Sequence, residues 1–298
     1  MANNVKKRKI LISDIVIGAI LVFICIVMLY PMLRVVALSL SEAKFIVSGE
    51  VGILPKGFNF TGYEIILKDM NLWRSYLNTI LYAGVGTVVT LIVTSLSAYP
   101  LSIPEFVLKK PFTIYLAITM FFSGGMIPTY IAIQSMGGIN SLWVMVIPGC
   151  LSAYNCFVYR SFFQGIPSSL RESATIDGAN DLIIFFQIIL PLSKPLLATF
   201  ALFSIVSHWN SWFNAMLYLR NVSLHPLQMF LRRLIVNESM DMLSSGESDL
   251  IEMFAAQQVT PQNIQMAAVM IVLVPILCVY PFLQKYFVKG MMIGSIKG

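Results

Sequence analysis

Residues 167–195 read PSSLRESATIDGANDLIIFFQIILPLSKP, a polar segment with helical spacing that separates two long apolar runs. Ser169 precedes Glu172 by three residues, which is the spacing of a capping box, so a short helix is predicted to begin here. Residues 177–181 include glycine, asparagine and aspartates, which favour a turn and the cap of a following helix. The second helix is predicted to start near Leu182.

Two prolines mark the far end of this segment. Pro191 and Pro195 are predicted to close the second helix, because proline cannot donate to the helical hydrogen-bond ladder. Ala174 and Gly178 stand about one turn apart and leave a stripe of small residues. The segment is thus predicted to be a small helix–turn–helix element lying across a membrane surface. A capped amphipathic helix in any cytosolic loop would share part of this pattern.

The composition is that of a membrane protein. Hydrophobic residues make up 57% of the 298 residues and charged residues 11%, whereas soluble domains carry about 25% charged residues. A membrane-spanning helix needs about 20 consecutive apolar residues. The predicted fold is therefore all-α, a single transmembrane domain over residues 1–298, with six spans at 10–36, 77–101, 111–133, 142–163, 196–219 and 266–287.

The distribution of lysine and arginine predicts the orientation, because positively charged loops are retained on the cytoplasmic side of a membrane. With the amino terminus inside, the cytoplasmic loops are basic, and the outer loops mix bases with acids. Residues 167–195 and both termini are then cytoplasmic, and this retention signal explains the net charge of +6. The apolar run after Lys9 exceeds the roughly 7–15 residues of a signal-peptide core, so an uncleaved first span is predicted.

The sequence lacks the residues that several kinds of catalytic and metal site require. It contains no Gly-Lys dipeptide and so no G-x-x-x-x-G-K-[ST] loop, which excludes an ATPase of that class. Only two histidines occur, and no predicted span carries paired carboxylates, a Ser/His/Asp set or a metal cluster. An enzyme and a metal site are therefore not expected. The four cysteines fall inside predicted spans and are interpreted as packing residues.

Neutral polar residues inside the fifth predicted span suggest a substrate path. Sugars expose hydroxyl edges and apolar C–H faces, so a weak sugar site would combine amides with indoles. An alternative stays open, in which these groups form interhelical hydrogen bonds and an interfacial aromatic belt. The candidates in this span are His208, Trp209, Asn210, Trp212 and Asn214.

Two further places are candidate walls of the same path. Gly124 and Gly125 precede Pro128 in the third predicted span, where they are expected to bend or break the helix. Broken helices in transporters often border a cavity, although a simple kink with close helix packing explains the glycines equally well. Asn155, in the fourth predicted span, is the other candidate.

The segment at 167–195 resembles the EAA loop of the membrane subunits of ABC importers, which contains the coupling helix. The family pattern is Glu-Ala-Ala, then Asp-Gly-Ala, then Ile-x-Leu-Pro. Ser173 replaces the first alanine of that pattern, and this exchange of one small residue for another leaves the face intact. In this sequence the pattern reads Glu172-Ser173-Ala174, Asp177-Gly178-Ala179 and Ile188-Ile189-Leu190-Pro191.

The resemblance extends over essentially the whole chain. The sequence is similar to the shorter membrane subunit of type I carbohydrate importers, the MalG-like family. It is most similar to the branch that handles oligosaccharides and polysaccharide fragments such as alginate or rhamnogalacturonan pieces. Besides the loop, the strings that carry this likeness are FSGGMIPTY at 122–130, HWNSWFN at 208–214 and QKYFVKG at 284–290.

The resemblance implies a permease subunit of an ATP-driven importer in a bacterial cytoplasmic membrane, working by alternating access. Its implied partners are a homologous second permease, an extracytoplasmic solute-binding protein and a dimer of ATPase subunits that hold ATP and Mg. No cofactor is expected on this chain itself.

Roles for individual residues follow from the same resemblance. Glu172 would pair with basic residues of an ATPase cleft, and Asp177 would hold the turn. Ala174, Gly178 and Ala179 would permit close seating. Ser173, Leu190 and Pro191 complete the coupling loop, and the carboxyl-terminal residues Gly294, Ser295 and Ile296 are a plausible contact with the ATPase dimer or else a frayed end.

Two other classes of function remain open on the sequence. A secondary transporter for a neutral polar solute is less attractive, because proton or sodium coupling usually needs an intramembrane carboxylate. A scaffold or receptor subunit without a conduit is the other class. Residues 221–263, the longest outer stretch, are predicted to form a dock for the binding protein or a short extracellular helix.

Overall fold

The computed structural model describes residues 12–244 and 259–295, and it describes side chains outside 237–244 and 279–295. Within these ranges the protein is helical and contains no β-strand, apart from one isolated bridge between Ser41 and Phe58. The prediction of an all-α protein is confirmed for this part of the chain.

The described residues form fourteen α-helices. Short 3₁₀ turns occupy Leu142–Met145 and Val222–Leu224, and a π-helical turn occupies Phe185–Ile189. The α-helices are α1 (Ile12–Ser39), α2 (Ala43–Val47), α3 (Thr61–Lys68), α4 (Met70–Ser102), α5 (Lys109–Phe121), α6 (Met126–Ser135), α7 (Ala153–Gln164), α8 (Ser168–Ile176), α9 (Asp181–Ile184), α10 (Leu190–Leu192), α11 (Lys194–Trp209), α12 (Phe213–Tyr218), α13 (Leu227–Ser244) and α14 (Pro261–Ser295).

Three helical stretches in the described ranges are long and apolar enough to cross a membrane: α1, α4 and residues 261–278 of α14. They coincide with the first, second and sixth predicted spans. Two bent pairs pass the same test together, α5 with α6 at 118° and Asp181–Leu192 with α11 at 78°, so the number rises to five if each pair is one span. By length and composition, the described residues therefore contain fewer spans than the six predicted.

The remaining predicted spans differ from the structure because polar side chains and glycine interrupt them. Between α5 and α6 the backbone of Gly125 has φ +83°, which breaks the predicted span 111–133. The predicted span 142–163 is not one continuous helix, since a 3₁₀ turn occupies Leu142–Met145 and the α-helix begins only at Ala153. The predicted span 196–219 is interrupted after α11, where Asn210 Nδ2 donates to the carbonyl of Val206 at 2.9 Å.

Among the described residues, one compact unit contains residues 12–68 together with 235–244 and 259–271. Its α1 leaves apolar side chains exposed along most of its length and buries only its last turn. Asn263, fully buried, donates from Nδ2 to the carbonyls of Leu38 at 2.9 Å and of Ser39 at 3.2 Å. This amide thus joins the end of α1 to the start of α14.

The other unit contains Asp69–Leu234 together with residues 272–295. The long helix α4 packs along α11 and α7. At one end of α4, Tyr82 Oη donates to the carbonyl of Leu224 at 2.8 Å, and Thr79 Oγ1 accepts from the amide of Leu227 at 2.8 Å. At the other end lies the aromatic core cluster, defined by Ala98, Tyr99, Leu101, Leu116, Cys156, Tyr159, Phe163, Ile184, Phe185, Ile189 and Leu196.

The stretch 221–263 contains a longer helix than predicted. α13 runs for 18 residues, from Leu227 to Ser244, instead of forming a short helix. Residues 245–258 of the stretch lie outside the described residues.

Candidate functional site

The polar segment at 167–195 begins with an exposed helix. α8 starts at Ser168 and buries none of its residues. Its N-cap is Pro167, and no side chain caps the helix, so the predicted capping box of Ser169 and Glu172 is wrong. Pro167 marks the start of the helix instead, because a proline disfavours a helical conformation in the residue before it and so prevents extension of the helix toward Ile166.

The turn after α8 depends on Gly178. This residue has φ +83°, and its amide donates to the carbonyl of Thr175 at 3.0 Å. The next amide, of Ala179, donates to the carbonyl of Ala174 at 2.9 Å. The two bonds form a Schellman motif, in which the residue after the C-cap adopts a left-handed conformation. Asp177 is the C-cap of α8, and its amide donates to the carbonyl of Ser173 at 3.0 Å. Its carboxylate is exposed and makes no hydrogen bond within the described chain, so a role of that carboxylate in holding the turn stays a prediction.

The small residues of the loop differ in what surrounds them. Ala174 and Ala179 are half-buried and pack against the chain's own aromatic core cluster. A Cβ on Gly178 would meet no atom within 4 Å, so this glycine is needed for its backbone conformation and not for packing inside the chain. Glu172 and Ser173 lie on the exposed side of α8, where Glu172 forms no ion pair with any described residue.

The second helix of the segment begins as the sequence predicts. Asn180 accepts a hydrogen bond from the amide of Ile183 at 2.9 Å and caps α9, which starts one residue before Leu182. The helix continues through the π-helical turn and α10, which contains Leu190 and Pro191. It ends at Ser193, between the two prolines, where Ser193 Oγ donates to the carbonyl of Ile189 at 2.7 Å.

An ion pair that the sequence does not reveal holds α8 near its beginning. Arg171 Nη2 lies 2.7 Å from Glu105 Oε2, which belongs to the turn between α4 and α5. The hydrogen bond from Arg171 lowers the pKa of the Glu105 carboxyl, and the same bond raises the pKa of Arg171. The two residues are 66 positions apart, so no local pattern predicts the pair.

A cavity of about 260 Å³ opens beside the middle of α4. Its lining is neutral and combines hydroxyl groups, an amide, an imidazole and aromatic rings. Thr90 Oγ1 is buried and makes no hydrogen bond inside the described chain. The lining residues are Thr90, Thr94, Gly149, Asn155, Tyr159, Phe200, Phe203, Ser204, Ser207 and His208.

His208 is held in the cavity wall by two helices. Its Nδ1 lies 2.9 Å from the carbonyl oxygen of Ser204. A carbonyl oxygen only accepts, so Nδ1 is the donor in this hydrogen bond. Thr87 Oγ1 donates to Ser204 Oγ at 3.1 Å, which ties α4 to α11 at the same level. A Cβ on Gly86 would overlap the imidazole, so α4 approaches α11 closely at that glycine.

Two of the predicted path residues, Asn155 and His208, line this cavity, and the others lie elsewhere. Trp209 is buried with its ring 6.3 Å from that of Tyr76. Asn210 Oδ1 accepts from Gln228 at 3.3 Å, and Trp212 stacks under Arg232 at 5.0 Å. Asn214, Gly124 and Gly125 are exposed and do not line the cavity.

Part of the predicted carboxyl-terminal contact falls outside the described residues. Helix α14 ends at Ser295 and includes Gly294, whereas Ile296 lies outside the described residues. That contact stays a prediction.

The chain is similar to known proteins over most of its length. The model for the family described as "Binding-protein-dependent transport system inner membrane component" matches residues 75–293. The chain belongs to this family. The matched region of this inner membrane component runs from α4 into α14 and contains both the polar segment and the cavity.

The relatives of this inner membrane component are similar over nearly their whole length. It is 38% identical to the polygalacturonan/rhamnogalacturonan transport system permease protein YtcP of Bacillus subtilis (strain 168), over 96% of this chain and 98% of that protein. It is also 38% identical to protein LplC of the same organism, over 90% of this chain and 89% of that protein.

A solved structure agrees with these sequence matches. The fold is similar, with a TM-score of 0.85, to a chain in the crystal structure of a bacterial ABC transporter involved in the import of the acidic polysaccharide alginate. The sequences are 33% identical, and the match covers 93% of this chain and 96% of that one. The resemblance to importer membrane subunits is confirmed.

Proposed function

We propose that this chain is the permease subunit of an ATP-driven importer that moves oligosaccharides or polysaccharide fragments across the bacterial cytoplasmic membrane by alternating access. The observation that carries the proposal is 38% identity across almost all of a permease named for polygalacturonan and rhamnogalacturonan transport. The alginate transporter, with a TM-score of 0.85, supports the same substrate class. A secondary transporter is set aside because the family is that of binding-protein-dependent systems.

In the proposed assembly this chain pairs with a homologous second permease, a solute-binding protein and two ATPase subunits that hold ATP and Mg. Hydrolysis takes place on those subunits, and this chain is not an enzyme. Its α8 is the coupling helix, and residues 167–195 are the cytoplasmic coupling loop. The exposed carboxylates of Glu172 and Asp177, which have no partner in the described chain, support this role because a basic cleft of an ATPase would pair with them.

The six-span arrangement belongs to the same proposal. The single domain over 1–298 would place both termini in the cytoplasm, with α5–α6 and residues 142–163 each completing one crossing. The exposed apolar surface of α1 supports a place for that helix against lipid or the second permease, because single chains rarely expose a patch of that size to water.

Cysteine labelling tests the position of the loop. A Glu172→Cys variant should resist a membrane-impermeant thiol reagent in intact cells and should cross-link to an ATPase subunit. A Val222→Cys variant, on the opposite side of the proposed bilayer, should react from outside. Labelling of position 172 in intact cells would overturn the proposed orientation.

The cavity is proposed to bind sugar hydroxyl groups and ring faces. Its hydroxyls, amide and imidazole suit hydroxyl groups, and the rings of Tyr159, Phe200 and Phe203 suit apolar sugar faces. Asn155→Ala is expected to raise the apparent KM for sugar uptake about fivefold, which corresponds to one lost hydrogen bond.

Asn214→Ala is the matched control for this measurement. It removes the same carboxamide from an exposed position outside the cavity, so its uptake should equal that of the unaltered chain. Equal KM values for the two alanine variants would show that the cavity does not bind the sugar.

A further inference from the structure

The orientation of α8 depends on one face of the helix. Two of its residues are half-buried, Arg171 and Ala174, and the rest are exposed. These two are three positions apart and therefore lie on the same side of the helix. Glu172 is rotated away from that side by about 100°, the angle between neighbouring residues of an α-helix. Whatever holds Arg171 inward consequently directs Glu172 outward.

The inward face has two attachments of different kinds. Near the end of α8, Ala174 packs on the aromatic core cluster. Near its beginning, Arg171 donates to Glu105 at 2.7 Å, while the hydroxyl of Thr175 only bonds within the helix. A helix fixed at one point pivots about it, and a second point sets its direction. The ion pair supplies that second point.

Glu105 is itself firmly placed. Its neighbours Ile103 and Phe106 pack against the aromatic core cluster, and the amide of Lys109 donates to the carbonyl of Phe106 at 3.0 Å. The turn that carries Glu105 is therefore anchored on both sides of the carboxylate. Arg171 binds to a fixed point of the fold and not to a loose loop.

The charges keep the pair formed at neutral pH. The hydrogen bond from Arg171 is the main cause that lowers the pKa of Glu105, and the charge of Lys109 acts in the same direction. A carboxyl with a lowered pKa stays ionised above that pKa, so the pair is lost only as the pH falls through it. The Glu105 side chain is 68% exposed, and an exposed ion pair is weak, so the pair biases the direction of α8 by no more than about fivefold.

We propose that the ion pair between Arg171 and Glu105 is a positioning device that sets the direction of α8 and so presents Glu172 to the ATPase subunit. This inference rests on the proposed coupling role of α8 and adds two positioning residues to it. Neither residue touches the transported sugar, because neither lines the cavity.

A charge swap in the assembled transporter tests the proposal. Glu105→Arg and Arg171→Glu each place like charges together, so each single variant should lower uptake and sugar-stimulated ATP hydrolysis about fivefold. The double variant Glu105→Arg/Arg171→Glu restores opposite charges and should recover at least about half of the uptake. Glu105→Gln, which keeps the shape of the side chain, should give a smaller loss and guards against misfolding of the reversals.

Lys110→Glu is the matched control, because it makes the same change of charge as Arg171→Glu. Lys110 is an exposed residue five positions after Glu105, and it forms no ion pair in the described chain. Its uptake should be unchanged. A double variant no better than the single variants, or an Arg171→Glu variant with full uptake, would overturn the proposal.

The cross-link from Glu172→Cys separates this proposal from the proposed function. If that cross-link to the ATPase subunit forms but the charge swap fails to rescue, the positioning role is wrong and the coupling role stands. If neither the cross-link nor ATP-dependent uptake is found in the otherwise unaltered chain, the proposed function itself fails.

Discussion

Replacing Gly178 by valine is expected to reduce sugar uptake by more than about tenfold while the chain still reaches the membrane. Gly178 has φ +83°, where an L-residue costs about 1–2 kcal/mol and a β-branched residue more. A cost of that size changes the population of the native turn about 5–30-fold. The turn joins α8 to α9, so its loss separates the exposed helix from the packed part of the loop.

Gly178→Asn separates the two possible roles of this glycine. Asparagine tolerates the left-handed region, so it should preserve the Schellman turn and keep most of the uptake. A Cβ at this position meets nothing within 4 Å inside the chain, so any loss in the asparagine variant would come from a neighbouring subunit. Normal transport by the valine variant, measured at equal membrane levels, would contradict the role of the turn.

Replacing Gly86 by alanine is expected to have the second-largest effect, a loss of uptake of about tenfold. The added Cβ would lie 2.6 Å from Cδ2 and 2.8 Å from Cε1 of His208, closer than side chains pack. Forcing a methyl group into such a contact typically costs about 1–3 kcal/mol. The imidazole would have to move and would lose its hydrogen bond to the carbonyl of Ser204.

Gly84 provides the matched control on the same helix. A Cβ there meets nothing within 4 Å, so Gly84→Ala should transport normally and even favour the helix. His208→Ala in the Gly86→Ala background should restore the thermal stability of the purified chain, because it removes the overlapping ring. Indistinguishable behaviour of the two glycine-to-alanine variants would show that the close approach of α4 to α11 is unimportant.

Local chemistry made parts of the loop predictable. A cap needs only a side chain and an amide three residues ahead, so the sequence placed the cap of the second helix within residues 177–181, where Asn180 supplies it. The start of α8 was placed correctly, but for the wrong reason, since Pro167 and not a capping box begins it. The long apolar helices α1 and α4 were predictable from hydropathy, because bilayer thickness sets their length.

Contacts between distant residues were not predictable in this way. Arg171 and Glu105 meet only because α4, α5 and α8 fold together. The cavity draws its wall from α4, α7 and α11, so only Asn155 and His208 were found among its members by polarity. One signal was available, since Gly84 and Gly86 in an apolar helix suggest close helix approach. It did not reveal which of the two makes that approach.

The π-helical turn at Phe185–Ile189 places a condition on how this loop tolerates change. Such a turn accommodates one residue more than an α-helical turn, and each residue inserted into or deleted from a helix rotates all that follows by about 100°. Exchanging an outward side chain such as Leu182 or Phe186 leaves that rotation untouched, whereas a single deletion would redirect Pro191. A graft of this stretch onto another protein must therefore preserve the number of its residues as well as their identities.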